Sequence, residues 1–261
     1  QYPKKQFLDT ALFAAKSASR LIQKTSNRSI KAYKSKTDLV TETDIASEEI
    51  ISKIIKSEYS DHSILAEESG MNQIGRAEYI WVIDPLDGTT NFVHNYPSYG
   101  ISIALVHKNK PIVGVVVEMP AMNTYWATDG TAAYCNKKVI KVSQTENLIQ
   151  SLLVTGFGYR HDSKWNTNMN LFKEFTDVTQ GVRRLGAAAV DICHAANGTV
   201  DGFWEFDLNP WDVAAGILIA ERAGAKVSKM NGEQYSIYDD QILISNGIIH
   251  QDMINIIDKF I

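Results

Sequence analysis

The run YIWVID, residues 79–84, constrains this chain more than any other stretch. It is apolar without alternation, so it reads as a strand buried on both faces, and such a sheet needs covering layers on each side. The strand then meets Asp84 and, across Pro85 and Leu86, a second acid, Asp87, followed by Gly88, Thr89 and Thr90. Ionised carboxylates at the end of a buried strand are costly unless something positive meets them. Pro85 fixes φ and lacks an N–H, which favours a rigid turn at the strand end. Gly88 lets the backbone approach a ligand closely, and the N–H groups after it can point at an anion. The stretch therefore offers carboxylates for a hard cation and amides for a phosphate. Mg²⁺ takes carboxylate and carbonyl oxygens and shares its shell with substrate phosphates, so it is the simplest positive partner. A plainer reading has Asp84 capping a turn and Asp87 closing an Asx turn.

The surrounding pattern mixes helices with consecutive strands. Leu8, Ala11, Leu12, Ala15, Ala18 and Ile22 recur at helical spacing and predict an amphipathic first helix. Residues 31–44, KAYKSKTDLVTETD, are charged and read as a mobile stretch ending in a short extended piece; a helix follows over 44–58, with Ile50, Ile51, Ile54 and Ile55 on one side. SILAEE, 63–68, reads as a strand whose end carries Glu67 and Glu68, a pairing that suits a wet or metal-bound place. Runs at 99–106, 111–118 and 123–128, joined by HKNK and PAM, predict an antiparallel meander. From Ser151 the rhythm changes: SLLVTGF, a helix over 163–175, AAAVDICHAA, a strand over 201–206, a helix over 211–224 ending on Gly224 as an αL cap, a strand over 242–246 and a terminal helix. These halves suggest two subdomains, 1–145 and 146–261, and the absence of a Pro/Gly-rich linker suggests a tight interface.

Two internal comparisons sharpen the reading. DGT recurs as Asp129-Gly130-Thr131 between two strand-like runs, where it signals a hairpin turn. Asp44 and Asp212 each stand where a helix begins, and an N-cap is the ordinary reason for an acid there. The net charge of −4 and the lack of a long Lys/Arg run disfavour a nucleic-acid partner; Lys34 with Lys36 and Arg183 with Arg184 are short clusters. Cys135 and Cys193 read as two small buried thiols of a reducing cytosol, with one disulfide between them as the alternative. QYPKKQFLDT has no apolar signal region and no run reaches membrane-spanning length, which together suggest a cytoplasmic protein with no membrane partner.

Five segments in order, DLVTETD (38–44), LAEES (65–69), WVIDPLDGTTNFVH (81–94), RLGAAAVDIC (184–193) and WEFDLNPWDVAAG (204–216), resemble the inositol monophosphatase family of Mg²⁺-dependent, lithium-sensitive phosphatases. The resemblance implies an α+β fold, the layered αβαβα sandwich shared with fructose-1,6-bisphosphatase, in a homodimer. It implies that Glu67, Asp84, Asp87 and Asp212 hold two or three Mg²⁺ ions together with the main-chain carbonyl of Leu86. Gly88 and Thr89 would hold the phosphate, and Thr89 with Asp44 and Glu67 would orient and activate the attacking water. Substrate would also meet Glu205 and the loop Gly186-Ala187-Ala188, beside the same Glu67, Leu86, Asp87 and Asp212. The family's loop lysine falls on Lys34 or Lys36.

The departures from the family pattern lie mostly on the substrate side. Ala66 replaces a usual Gly, Gly186-Ala187-Ala188 lacks a central hydroxyl residue, and Asn209-Pro210 replaces the His-Cys of animal enzymes. The implied activity is hydrolysis of a small phosphorylated polyol or sugar, inositol monophosphate first. Fructose-1,6-bisphosphatase and NADP phosphatase are the alternatives within the family. A non-enzymatic alternative is a regulatory module using the retained pocket; loss of a metal ligand would favour it, and none is lost. Arg160, His161, Arg183 and Arg184 lie in the second half and offer cations for a second phosphate, against the plainer reading of solvated surface groups.

Overall fold

Small residues at Ala11, Ala14, Ala15 and Ala18 give α1 (Lys4–Lys24) a smooth buried face, flanked by Phe7, Leu8 and Ile22. The computed structural model describes residues 4–26, 28–36, 38–72 and 78–261. After α1 come β1 (Ile30–Tyr33) and β2 (Leu39–Thr41), paired antiparallel, so the charged stretch expected to be mobile contains a hairpin. Next is α2 (Glu42–Glu58), then β3 (Ser63–Ala66), β4 (Gly70–Asn72), β5 (Tyr79–Asp87) and the short α3 (Thr89–Val93). The expected meander follows as β6 (Tyr99–His107), β7 (Lys110–Met119), β8 (Asn123–Thr128), β9 (Tyr134–Cys135) and β10 (Lys138–Val139). Among the described residues β3 to β10 form an eight-stranded sheet in the order β10-β9-β8-β7-β6-β5-β3-β4. Only the β3–β5 pair in that sheet is parallel.

The second half gives β11 (Leu152–Thr155), α4 (Ser163–Val178), β12 (Gly181–Arg183), α5 (Ala188–Ala196) and β13 (Gly202–Phe206). It closes with α6 (Pro210–Arg222), β14 (Lys226–Ser228), β15 (Gln241–Ser245) and α7 (His250–Ile257). Its five strands run β12-β11-β13-β15-β14. Alternation along the strands shows how the layers stack. Trp81 and Ile83 of β5 pack with α1 and α2, whereas Val82 packs with α5 and α6. In the second sheet Val154 and Phe203 face α5 and α6, and Leu153 and Trp204 face α4 and α7. The order is αβαβα, with α5 and α6 sandwiched between the sheets. That explains why those two helices are apolar nearly all round.

Three local expectations change. Pro85 does not end β5; the strand continues to Asp87, and a bulge sets Asp84 opposite Ser102 and Asp87 opposite Gly100. A bulge is where a strand tolerates proline, because no ladder N–H is needed there. β3 stops at Ala66, and Glu67 and Glu68 stand in the turn beyond it. Cys193 is buried but Cys135 only half so, and both are free thiols. Gly224 takes φ +95° after α6, as expected, and Ala225 N–H closes the cap onto the Ala220 carbonyl. Among the described residues no helix is long and apolar enough to cross a membrane.

Candidate active site

The end of β5, the turn after β3 and the first turns of α2, α5 and α6 converge on one acidic cleft. Asp84 is buried at 2% exposure, and its carboxyl is pushed well above the ordinary range by burial, then by Glu67, Asp87 and Asp212. Burial raises Glu67 as well, with the Lys34 ammonium offsetting part of the rise. Asp212 is likewise held well above its ordinary value by burial, Glu67 and Asp87. Asp87 is pushed up to about 7, chiefly by burial, despite accepting from backbone amides at the start of α5. Four carboxylates that disfavour one another's charge form a site short of positive charge.

The acids are positioned by helix starts rather than by simple caps. Thr41 is the N-cap of α2, and Asp44 sits at the third helical position, accepting from Thr41 N–H at 2.8 Å and Thr41 Oγ1 at 2.5 Å. Its other oxygen accepts from Thr89 Oγ1 at 2.7 Å. Asp212 holds the equivalent place in α6, accepting from Asn209 N–H at 2.7 Å after an Asn209 cap and Pro210. Both acids therefore complete capping boxes, which corrects their reading as N-caps. Asp84 Oδ1 accepts from Leu86 N–H at 3.0 Å, so the plain turn reading of Asp84 holds alongside any ligand role. The Leu86 carbonyl accepts from Thr89 Oγ1 at 3.1 Å.

Gly88 takes φ +81° and packs so closely that a Cβ there would lie 3.1 Å from both Ala187 Cβ and the Ser98 carbonyl. Asn91 locks the same junction, donating to Ser98 O at 2.6 Å and Leu185 O at 2.7 Å. Gly186, Ala187 and Ala188 are thereby held against the Gly88–Thr89 turn. Asp87 Oδ2 accepts from Ala189 N–H at 2.8 Å, supplying the side-chain cap that α5 lacks. Glu205, 7% exposed, is held well above its ordinary value by burial, Asp212 and Asp87, with Arg184 offsetting part of the rise.

Lys34 is the lysine that reaches the cleft. Its Nζ stands 2.9 Å from Glu67 Oε1 and 2.6 Å from Glu68 Oε1, while Lys36 is exposed. Burial opposes the Lys34 charge, but the two glutamates outweigh it and hold the ammonium above its ordinary value. Glu68 is pushed up to about 7, mainly by burial. Among the described residues no three His, Cys, Asp or Glu side chains are gathered so that they could hold a metal ion as they stand. The donors offered are all carboxylate and carbonyl oxygens, and one glutamate is engaged by lysine. That chemistry fits Mg²⁺, which keeps part of its water shell and binds through one or two carboxylates plus phosphate.

Sequence reasoning missed several supporting groups. Glu48 is buried and accepts from Glu68 N–H at 2.9 Å and Ser69 N–H at 3.1 Å, fixing the turn that carries Glu67. It lies one turn after Asp44 on α2, the only sequence signal for it. Asp191 is 1% exposed, and neither carboxylate oxygen has a hydrogen-bond partner. Tyr159, from the loop after β11, has its phenol pushed up to about 12, chiefly by burial and then by Asp38, with Glu67 and Asp87 adding to the rise. Nothing in its local sequence marks it. Of the four basic candidates, Arg184 alone lies near Glu205 and Asp191; His161 stacks on Trp165 and Arg183 contacts the Val182 carbonyl.

The layered sandwich and this acid-lined cleft define a class, the phosphoric monoester hydrolases built on this fold. The family described as inositol monophosphatase matches residues 4–260. Phosphatase IMPL1, chloroplastic, of Arabidopsis thaliana is 47% identical over 95% of this chain and 68% of its own. A putative Nus factor SuhB of Neisseria meningitidis serogroup B is 38% identical over 98% of this chain and 99% of its own. The solved inositol monophosphatase of Anabaena (Nostoc) superposes with a TM-score of 0.88 at 40% identity, covering 98% of this chain and 97% of that one. The chain belongs to the inositol monophosphatase family.

Proposed function

We propose that this phosphatase hydrolyses a small phosphorylated polyol, inositol monophosphate foremost, with two or three Mg²⁺ ions held by Glu67, Asp84, Asp87, Asp212 and the Leu86 carbonyl. One observation carries the reading: buried carboxylates raise one another's pKa beside the left-handed Gly88 turn, whose Thr89 hydroxyl donates to Asp44. When bound, Mg²⁺ would neutralise the phosphate and acidify the attacking water. The chain's own residues do the positioning. Thr89 donates its hydroxyl proton to Asp44, so its lone pairs are left to accept from a water. Asp44, tied by Thr41, fixes that direction, and Glu67 faces the same water. The water oxygen attacks phosphorus in line and the alcohol oxygen leaves, with no phospho-enzyme; positioning and charge supply the rate.

Glu205 and the Gly186–Ala188 wall would receive the polyol. Arg184 beside Glu205 gives a second phosphate one cation, which brings fructose 1,6-bisphosphate into the substrate panel. The regulatory-module reading is favoured only by the names of relatives, Nus factor SuhB of Neisseria and Pseudomonas among them, and the full set of acids argues against a pocket used only for binding. We expect a homodimer and millimolar Li⁺ inhibition. The test is phosphate release from inositol 1-phosphate, fructose 1,6-bisphosphate and NADP, with Mg²⁺ and with EDTA. Mg²⁺-dependent release, fastest from inositol 1-phosphate, is the expected result; no release from any ester would sink the proposal.

A further inference from the structure

Glu205 is 7% exposed, and among the described residues no donor hydrogen-bonds its carboxyl group. A buried polar group without a partner needs a physical reason. The strand pattern shows where this one points. Along β13, Phe203 faces α5 and α6 whereas Trp204 faces α4 and α7. Alternation therefore turns Glu205 toward α5 and α6. The first turns of those helices border the cleft, through the Ala189 N–H bond to Asp87 and through Asp212. β11 runs parallel to β13 with Thr155 opposite Trp204, which leaves Gly156 beside Glu205. A Cβ on Gly156 would collide with Glu205 Cδ, Oε1 and Oε2. The carboxyl group fills the space where any other residue would carry a side chain, so packing alone sets its direction.

The backbone on either side of that contact is clamped from α4. Asn168, 2% exposed, donates to the Gly156 carbonyl at 2.7 Å and accepts from Trp204 Nε1 at 2.6 Å. Thr155 Oγ1 donates at 2.5 Å to the Trp204 carbonyl, the peptide that leads into Glu205. Just beyond, Lys164 Nζ stands 2.6 Å from both Asp207 Oδ1 and Asp240 Oδ2. We infer that Gly156 is a positioning residue for substrate choice. Its bare Cα, held by Asn168, lets Glu205 lie across the end of β11 and so sets the direction from which an unpartnered carboxyl group meets a polyol hydroxyl. The inference rests on the proposed function and deepens it. Gly186-Ala187-Ala188 offers no side-chain hydroxyl, so hydroxyl recognition on that side falls to Glu205.

The experiment compares inositol 1-phosphate with 4-nitrophenyl phosphate, which has no hydroxyl to read, on wild type, Gly156→Ala, Glu205→Ala and the double variant. Gly156→Ala should raise KM for inositol 1-phosphate about five- to tenfold, the size of one hydrogen bond, with kcat within about twofold. It should leave 4-nitrophenyl phosphate unchanged. In the Glu205→Ala background the same substitution should add no further loss, because the carboxyl group it displaces is gone. Equal effects on the two esters, none on inositol 1-phosphate, or additive losses in the double variant would overturn the inference. If Gly156→Ala alone fails to fold, the double variant should regain a cooperative melt and the KM of Glu205→Ala; a double variant as unfolded as the single one overturns the inference. If wild type hydrolyses neither ester, the proposed function falls. The same variants are then read by calorimetric binding of inositol 1-phosphate against inorganic phosphate, where an unchanged ratio, or no binding, overturns the Gly156 role as well.

Discussion

Thr89 and Thr131 follow the same Asp-Gly pair and do different work because of what stands near them. Thr131 Oγ1 accepts from Thr128 N–H at 3.0 Å inside a turn between β8 and β9, with no acid of the cleft in contact. Thr89 Oγ1 donates to Asp44 at 2.7 Å. Thr89→Ala should lower kcat by about 10²-fold or more, as expected for a lost acid–base contact. Thr131→Ala should leave kcat alone and cost about 1 kcal/mol of stability. Matching kinetic losses from both would refute the distinction. At Asp84 and Asp212 the amide variants Asp84→Asn and Asp212→Asn should cut phosphate release by about a hundredfold or more. Each also removes charge from a crowded group, so Tm in EDTA should rise or hold. A fall in Tm with activity retained would mean that these acids serve the fold, not the reaction.

At the scale of elements, the β1–β2 hairpin places a lysine where a cation is wanted. Lys34 N–H bonds the Asp38 carbonyl at 2.8 Å, closing the hairpin, and its Nζ engages Glu67 and Glu68. An ammonium and a metal ion cannot both neutralise Glu67, so on the proposed Mg²⁺ reading the hairpin would compete with the ion. Lys34→Met should tighten Mg²⁺ binding several-fold, read by calorimetry without substrate. Unchanged or weaker binding would show that Lys34 does not oppose the ion. Helix α2 serves the site in a different way: Asp44 and Glu48, one turn apart, hold Thr89 and the Glu67 turn respectively. Removing either should displace a site group, Thr89 or the Glu67 turn, that it holds by hydrogen bonds.

For the whole molecule, metal-free stability should depend on pH in a direction set by these acids. Asp87 rises from 3.8 to about 7 and Glu68 from 4.5 to about 7 on folding. The folded state therefore binds more protons than the unfolded state between those values, and stability falls as pH rises through that window. In EDTA, Tm should drop by several degrees across that window, since a chain of this length loses a few degrees for each kcal/mol of stability. Saturating Mg²⁺ should flatten the slope, because a bound cation favours the ionised forms. An EDTA curve that rises with pH, or one unaltered by Mg²⁺, would contradict the charge-starved site.

Much of this was legible along the chain because its causes are local. YIWVID is apolar on both faces, so a strand covered on both sides follows from its composition alone, and helical spacing in α1 and α2 predicts the outer layer. Gly88 after two acids signals a turn near a ligand because only glycine is at ease at such a φ. Other features needed the tertiary structure because their partners are remote in sequence. Asp87 caps α5 across 102 residues, and Asn91 locks Leu185 across 94. The bulge that carries β5 through Pro85 is set by its register against β6. Nothing around Gly156 announces that it packs against the Glu205 carboxyl group, 49 residues further on. Residue types determined which chemistry the chain can offer, since charge, hydroxyls and glycines are properties of residues. Which of those groups meet was decided by long-range packing of two sheets around α5 and α6, a contact pattern that no local stretch encodes.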